Sequence, residues 1–213
     1  MRRVGLSTIE DALQRRSVLY DKAGDQHYDT ISAFIKSVRG SAPDAAVYWL
    51  GRIIEAGEDP MFIARRLVIL AAEDIGLADP MALPLAVSAQ QAVHFIGMPE
   101  GAIPLAEATV YLATAPKSNS AYAALNRAMK DVRESRNEPV PLHLRNPATG
   151  LTKGMGYGKG YKYAHDHEGH FVLQDYLPPS LKDRRYYEPT EEGHEKEAAE
   201  RIRSWREGSA PPD

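Results

Sequence analysis

The sequence predicts an all-α fold of stacked helical hairpins, followed by an irregular strap and a C-terminal helix. Three features carry this expectation. Apolar residues recur at three- and four-residue spacing through most of the stretch from 26 to 135. Asp-Pro pairs at Asp59-Pro60 and Asp79-Pro80 combine a side chain that caps free N–H groups with a residue pre-set for a first helical turn. Gly57, Gly76 and Gly97 follow apolar runs directly, where a helix needs a left-handed stop.

Taken in order, Thr8 is an N-cap for a short helix through Val18, with Glu10 and Asp11 in the first turn where the helix dipole favours acids. After the polar turn Asp21 to Asp25, a helix over Gln26 to Val38 places Tyr28, Ile31, Ile35 and Val38 on one face. Arg39-Gly40-Ser41 stops it. The next helix, Pro43 to Ala56, carries Val47, Leu50, Ile53 and Ile54 on one side and leaves Tyr48 and Trp49 off it. The helix that follows runs from Pro60 to Ile75, and Phe62, Ile63, Leu67, Val68, Ile69 and Leu70 cover more than one stripe. Such a helix contacts protein on more than one side, either at the centre of the monomer or shared with another subunit.

Asp79-Pro80 opens an alanine-rich helix to about Ile96, with Pro84 in its first turn or at a slight kink. The run Gly97 to Gly101 breaks the chain, and a helix from Pro104 to Thr114 presents Leu105, Ala108, Tyr111 and Leu112. Ser118 or Asn119 caps the next, through Ser135, with Tyr122, Leu125, Met129 and Val132 along one side. Short connections between such helices give stacked hairpins. From Pro139 to Tyr163 prolines and glycines exclude long helix. Pro178-Pro179 and Pro189 punctuate the tail before a charged surface helix over Thr190 to Arg206, whose apolar residues are Ala198, Ile202 and Trp205.

At 213 residues the chain can bury roughly 70% of its unfolded surface without covalent staples. It has no cysteine, which excludes disulfides and thiolate metal sites and fits a reducing, cytoplasmic setting. The N-terminus lacks a secretory apolar region, and no run approaches the ~20 apolar residues of a membrane span. A net charge of -3 argues against a wholly basic nucleic-acid coat but not against a local basic patch.

The motifs suggestive of chemistry are mostly incomplete. Gly154, Gly156, Gly158 and Gly160 invite a phosphate-loop reading, but Lys153 stands where the Walker pattern needs Gly and Gly160 where it needs Ser or Thr. His165, His167 and His170 have an HxHxxH spacing without the adjoining acid, so a solvated loop is the simpler reading. His194 lacks the second histidine of a zincin helix. No metal site, catalytic triad or carboxylate pair emerges.

The basic-aromatic strap is a stronger candidate. Arg145, Lys153, Lys159 and Lys162 stand among Tyr157, Tyr161 and Tyr163 with no acid between Pro139 and Tyr163. Cations that neutralise phosphates and rings that stack on unpaired bases would grip single-stranded or fork DNA. The alternative is an ordered strap whose tyrosines pack on protein while the lysines face water. Lys36, Arg39, Arg65 and Arg66 have a similar ambiguity, with Glu73 and Asp74 as structural partners.

Long motifs then add a family. YDKAGDQHYDTISAFIKSVRGSAPDAAVYWLGRIIEAGEDPMFIARRLVILAAEDIGLADP from Tyr20, GMPEGAIPLAEATVYLATAPKSNSAY from Gly97, PVPLHLRNPATGLTKGMGYGKGYKYAHD from Pro139, and YLPPSL and YYEP in the tail stand in this order. With them the chain resembles the C-terminal part of the replication-associated recombination protein A family, also written RarA or MgsA, whose eukaryotic relative is the Werner-helicase-interacting ATPase. The chain reads HLRNPAT where relatives typically read HLRNAPT, a swap confined to one turn.

The resemblance implies an AAA+ ATPase related to clamp-loader subunits, of which this chain is a fragment. Residues 1–19 are then a remnant of the lid, 20–136 a helical oligomerisation collar, 137–189 the strap and 190–213 a surface helix and tail. It implies that the Walker motifs, with their ATP and magnesium, lie upstream and that this chain is not itself an enzyme. The implied partners are further copies in a homotetramer, DNA, and single-strand-binding protein through the full-length protein. Tyr48, Trp49, Phe62, Leu67 and Leu70 are the residues expected at the oligomer interface, because aromatic and surplus apolar side chains are favoured there.

Overall fold

The computed structural model describes residues 25–135 and 138–208; the expected helix from Thr8 to Val18 lies outside them. The chain divides into two compact units, one ending at Lys117 and the other beginning at Ser118. Among the described residues there is helix, turn and irregular chain but no strand.

The first unit contains α1 (Asp25–Arg39), α2 (Pro43–Glu55), α3 (Pro60–Leu70), α4 (Ala82–Ile96) and α5 (Ala102–Thr114). Local chemistry sets the boundaries much as the sequence predicts. Pro43 opens α2, and Gly57 takes a φ of 75° just beyond its end. The Asp59 side chain accepts from the Met61 N–H, capping α3 with Pro60 as its first residue. Asp79 likewise accepts from the Met81 N–H, but α4 starts only at Ala82.

Within this unit α5 packs on all four other helices, and α3 packs against α1, α4 and α5. The apolar surplus of α3 is therefore used within the unit. Ile63, Ala64, Leu67 and Leu70 are all buried, with Leu67 0% and Leu70 2% exposed. The chain does not stop at Leu70: a π-helical turn, Ala71–Ile75, carries it to Gly76. Ala71, Asp74 and Ile75 are buried along this turn, at the one-face spacing that also serves an α-helix. Small side chains set the other contacts, since Ala82, Ala86 and Ala89 of α4 and Ala108 and Ala113 of α5 are buried. Rows of alanine let helix backbones approach closely.

The second unit has α6 (Ser120–Glu134), the single-turn α7 (Gly150–Gly154) and α8 (Glu195–Arg206). The sequence-based division placed residues up to 136 in the helical core; the structure puts α6 in the later unit instead. The reason is polar bonding. The Arg127 guanidinium donates to the Tyr186 carbonyl and pairs with Glu188, while Asp131 accepts from Tyr186 Oη and pairs with Arg184. Helix α8 begins five residues later than predicted, because Thr190–His194 forms a turn that feeds Glu195 inward. The described buried residues of this unit are all polar: Ser118, Ser120 and Glu195.

Candidate interaction surfaces

The strap is built on local bonds. Thr149 and Thr152 form a reciprocal capping box that starts α7. Beyond it, Gly156, Gly158 and Gly160 all have positive φ, so the chain coils tightly on itself. The Gly158 N–H donates to the Leu142 carbonyl at 3.0 Å, and a Cβ there would stand 3.3 Å from Pro147 Cδ. The glycine sequence thus serves a close backbone approach within the strap itself.

The predicted DNA-contact residues separate into two groups. The Arg145 guanidinium lies 5.2 Å from the Tyr157 ring centroid, donates to Tyr157 Oη at 3.2 Å and to the Val140 carbonyl at 2.7 Å. This pair holds the strap together. Lys162 is tied by its own backbone N–H to Gln174 Oε1 at 2.8 Å and by Nζ to the Leu173 carbonyl at 3.4 Å. By contrast Lys153, Lys159 and Tyr161 are exposed, and among the described residues no acceptor holds either lysine. His165 lies between Tyr163 and His170, with ring centroids 5.1 and 4.8 Å away, and no three potential metal ligands converge among the described residues.

The predicted interface residues also divide. Tyr48 is exposed and meets Trp49 edge-on at 5.1 Å, and Arg52 lies over the Trp49 ring at 5.2 Å. Phe62 is half-buried, with the guanidinium groups of Arg65 and Arg66 at 5.9 and 5.3 Å from its ring centroid. Leu67 and Leu70 require correction: their side chains fill the core between α3 and its neighbours and leave no surface for a partner. Arg39 turns out to be structural, with Nε donating to Asp74 Oδ1 at 2.6 Å and an exposed arm reaching Glu73.

The apolar surface lies elsewhere. Tyr122, Leu125, Met129 and Val132 form the expected stripe on α6, and all four are exposed, Leu125 at 57% and Val132 at 72%. Their spacing of three, four and three residues is that of a coiled-coil seam. Phe95, at the end of α4, is 90% exposed, and Ile96, Met98 and Ile103 around the α4–α5 connection are exposed as well. Phe95 and Ile103 were readable as surplus, since they fall off the alanine faces that pack inward.

Glu195 was not foreseen at all. It is 0% exposed, and its carboxylate accepts from Ser118 Oγ, Ser120 Oγ, Tyr187 Oη, and the N–H and hydroxyl of Thr190. Burial pushes this carboxyl upward, but the hydrogen bonds from Ser118, Ser120 and Thr190 outweigh it and hold it at about 2. In turn, burial and the bond to Glu195 push Tyr187 up to about 12. A charged residue at the head of an exposed helix reads as dipole decoration, so spacing gives no hint of this anchor.

The class of protein is a C-terminal region of AAA+ ATPases: the AAA C-terminal domain family matches residues 1–39. The chain belongs to the MgsA AAA+ ATPase C-terminal family, whose profile matches residues 40–206. It is 52% identical over 199 residues to an AAA domain-containing protein of Mycobacterium tuberculosis, covering 93% of this chain and 44% of that protein. It is 44% identical to replication-associated recombination protein A of Haemophilus influenzae, over 97% of this chain and 46% of the relative. ATPase WRNIP1 of Dictyostelium discoideum is 48% identical over 83% of this chain and 20% of its own length. The chain therefore spans less than half the length of these relatives. Among its described residues, no helix is long and apolar enough to cross a membrane.

Proposed function

We propose that this chain is the assembly collar of an AAA+ ATPase that acts in replication-associated recombination, joining further copies of itself into a homotetramer. The relatives' names support the process, and the uncovered stripe on α6 supports the assembly. A row of exposed aromatic and aliphatic side chains at heptad spacing gains most by pairing with its like. In this reading ATP and magnesium are bound by a motor core outside this chain, and the collar sets the spacing of the motors. Light scattering coupled to size exclusion tests it directly. A mass near four times that of the chain, falling to the monomer in Leu125→Glu/Met129→Glu, is the expected result. A wild-type monomer at every protein concentration overturns assembly by this chain.

A second reading rests on Lys153, Lys159 and Tyr161, which face solvent in the coiled part of the strap, where no acid stands between Pro139 and Tyr163. These residues would contact the backbone and a base of single-stranded DNA while Arg145 and Tyr157 keep the strap folded. The two functions are compatible, because a collar that gathers motors around DNA also gains from touching it. Salt-dependent binding to a fork substrate, lost in Lys153→Ala/Lys159→Ala, is the expected outcome.

A further inference from the structure

The second unit contains a cavity of 590 Å³ that neither the basic-aromatic stretch Pro139 to Tyr163 nor the stripe on α6 lines. One wall is the segment Phe171 to Tyr176, which runs without helix, turn or bend. Another is the C-terminal end of α8, where Trp205 stacks on Phe171 with ring centroids 5.8 Å apart and planes at 14°. Lys182, Arg184, Arg185 and Arg206 stand around it, with Asp175 as the opposing acid.

Three features indicate an occupant. Trp205 Nε1 and Gln174 Nε2 both belong to residues lining the cavity, and both atoms are buried without a hydrogen-bond acceptor. A buried donor left unmade costs about 1–3 kcal/mol, so a shift of either side chain that brought its N–H to an occupant's acceptor would be favoured. The backbone offers the same: among the described residues, no acceptor receives the N–H groups of Val172 to Tyr176. The charge agrees. Arg184 is paired with Asp131, but the Arg185 and Arg206 guanidinium groups reach only backbone carbonyls, and Lys182 has no acid beside it among the described residues.

We infer that this cavity is a docking groove for an acidic, apolar peptide in extended conformation, a segment of another protein that lays its main chain along Phe171–Tyr176. Its carbonyls would accept from the free amides there, as in strand addition to an exposed edge. Its acids would meet Lys182, Arg185 and Arg206, and an apolar side chain would settle beside the Phe171–Trp205 stack. The volume lies within the range of small-ligand clefts, so it has room for several side chains of such a peptide. Asp175 disfavours an anion at its end of the groove and fixes which way the acids run. This inference does not depend on the collar reading, since every residue it uses lies in the second unit.

The test is NMR and fluorescence titration of the full chain with the capped peptide acetyl-Glu-Leu-Glu-Phe-Glu-Leu-amide. Trp49→Phe leaves Trp205 as the one indole and assigns its N–H resonance. The expected result is a shift of that resonance on saturation, with binding at least tenfold weaker for the same peptide carrying Gln in place of Glu. Lys182→Glu/Arg185→Glu, folded by circular dichroism, should weaken binding by a similar factor. An unmoved Trp205 resonance at millimolar peptide, or equal binding of the neutral peptide, overturns the groove. So does a short oligothymidylate that shifts Trp205 at lower concentration than the peptide, which would make the groove a nucleic-acid site.

Discussion

Ser118 Oγ donates to Glu195 Oε2 at 2.5 Å across 77 residues of chain. Ser118 is the first residue of the second unit and Glu195 the first of its last helix, so this bond ties the start of the unit to the start of α8. Among the described residues of this unit no apolar side chain is buried to do the same work. An internally satisfied carboxylate here replaces a hydrophobic core, and its loss should be felt by the whole unit.

Glu195→Gln should destabilise the second unit by about 2–4 kcal/mol, because an amide cannot accept from every hydroxyl that the carboxylate serves. Urea denaturation followed by Trp205 fluorescence in a Trp49→Phe background reads this. The sign with pH is fixed. A carboxyl at about 2 in the folded chain and 4.5 when unfolded stabilises the fold by about 3 kcal/mol above pH 4.5. That contribution disappears as the pH falls from 4.5 through 2, and Glu195→Gln should remove this acid slope. Tyr187 acts at the other end: with its hydroxyl at about 12 rather than 10, its contribution is complete below pH 10 and fades as the pH rises through 12.

Leu67 and Leu125 give opposite outcomes on substitution by Glu. Leu67 is enclosed by α3 and its neighbours, and an unpaired carboxylate there should unfold the first unit. Leu67→Ala alone should cost about 2–5 kcal/mol. Leu125 is exposed, so Leu125→Glu should leave thermal unfolding of a monomer nearly unchanged and alter only the solution mass. Soluble, folded Leu67→Glu monomers would contradict this division.

Gly101→Ala should destabilise the α4–α5 connection by roughly 1–3 kcal/mol. A Cβ at this position would stand 2.7 Å from the Gly97 carbonyl oxygen, which is backbone and cannot rotate away. Gly51 is the internal control: a Cβ there meets nothing within 4 Å and sits mid-helix, so Gly51→Ala should be neutral or stabilising by up to about 1 kcal/mol. Differential scanning calorimetry of the pair separates crowding from general loss of glycine freedom.

Lys159→Ala and Arg145→Ala should also part company. The lysine change should leave the strap's amide protection intact and reduce any salt-dependent DNA affinity, because Lys159 faces solvent. The arginine change removes the support of Tyr157 and of the Val140 carbonyl, so hydrogen exchange should accelerate between 140 and 160 whether or not DNA is present.

The sequence by itself determined most helix boundaries of the first unit to within about two residues, because these are set by residues acting on their immediate neighbours, although not the late start of α4 at Ala82 or the π-helical turn after Leu70. Asp59 with Pro60, Gly57 and Gly97 each satisfy or end a helix through their own backbone geometry. Long motifs in fixed order also determined the family. Tertiary structure alone decided where the surplus apolar surface went. A stripe at helical spacing reads alike whether it faces a core or a partner, and only packing shows that Leu67 and Leu70 are enclosed while Tyr122, Leu125, Met129 and Val132 are not. It alone decided that Arg145 braces the strap rather than facing solvent, and that Glu195 meets Ser118 and Ser120. Those bonds join residues far apart along the chain, and spacing within a segment cannot encode a contact that folding creates.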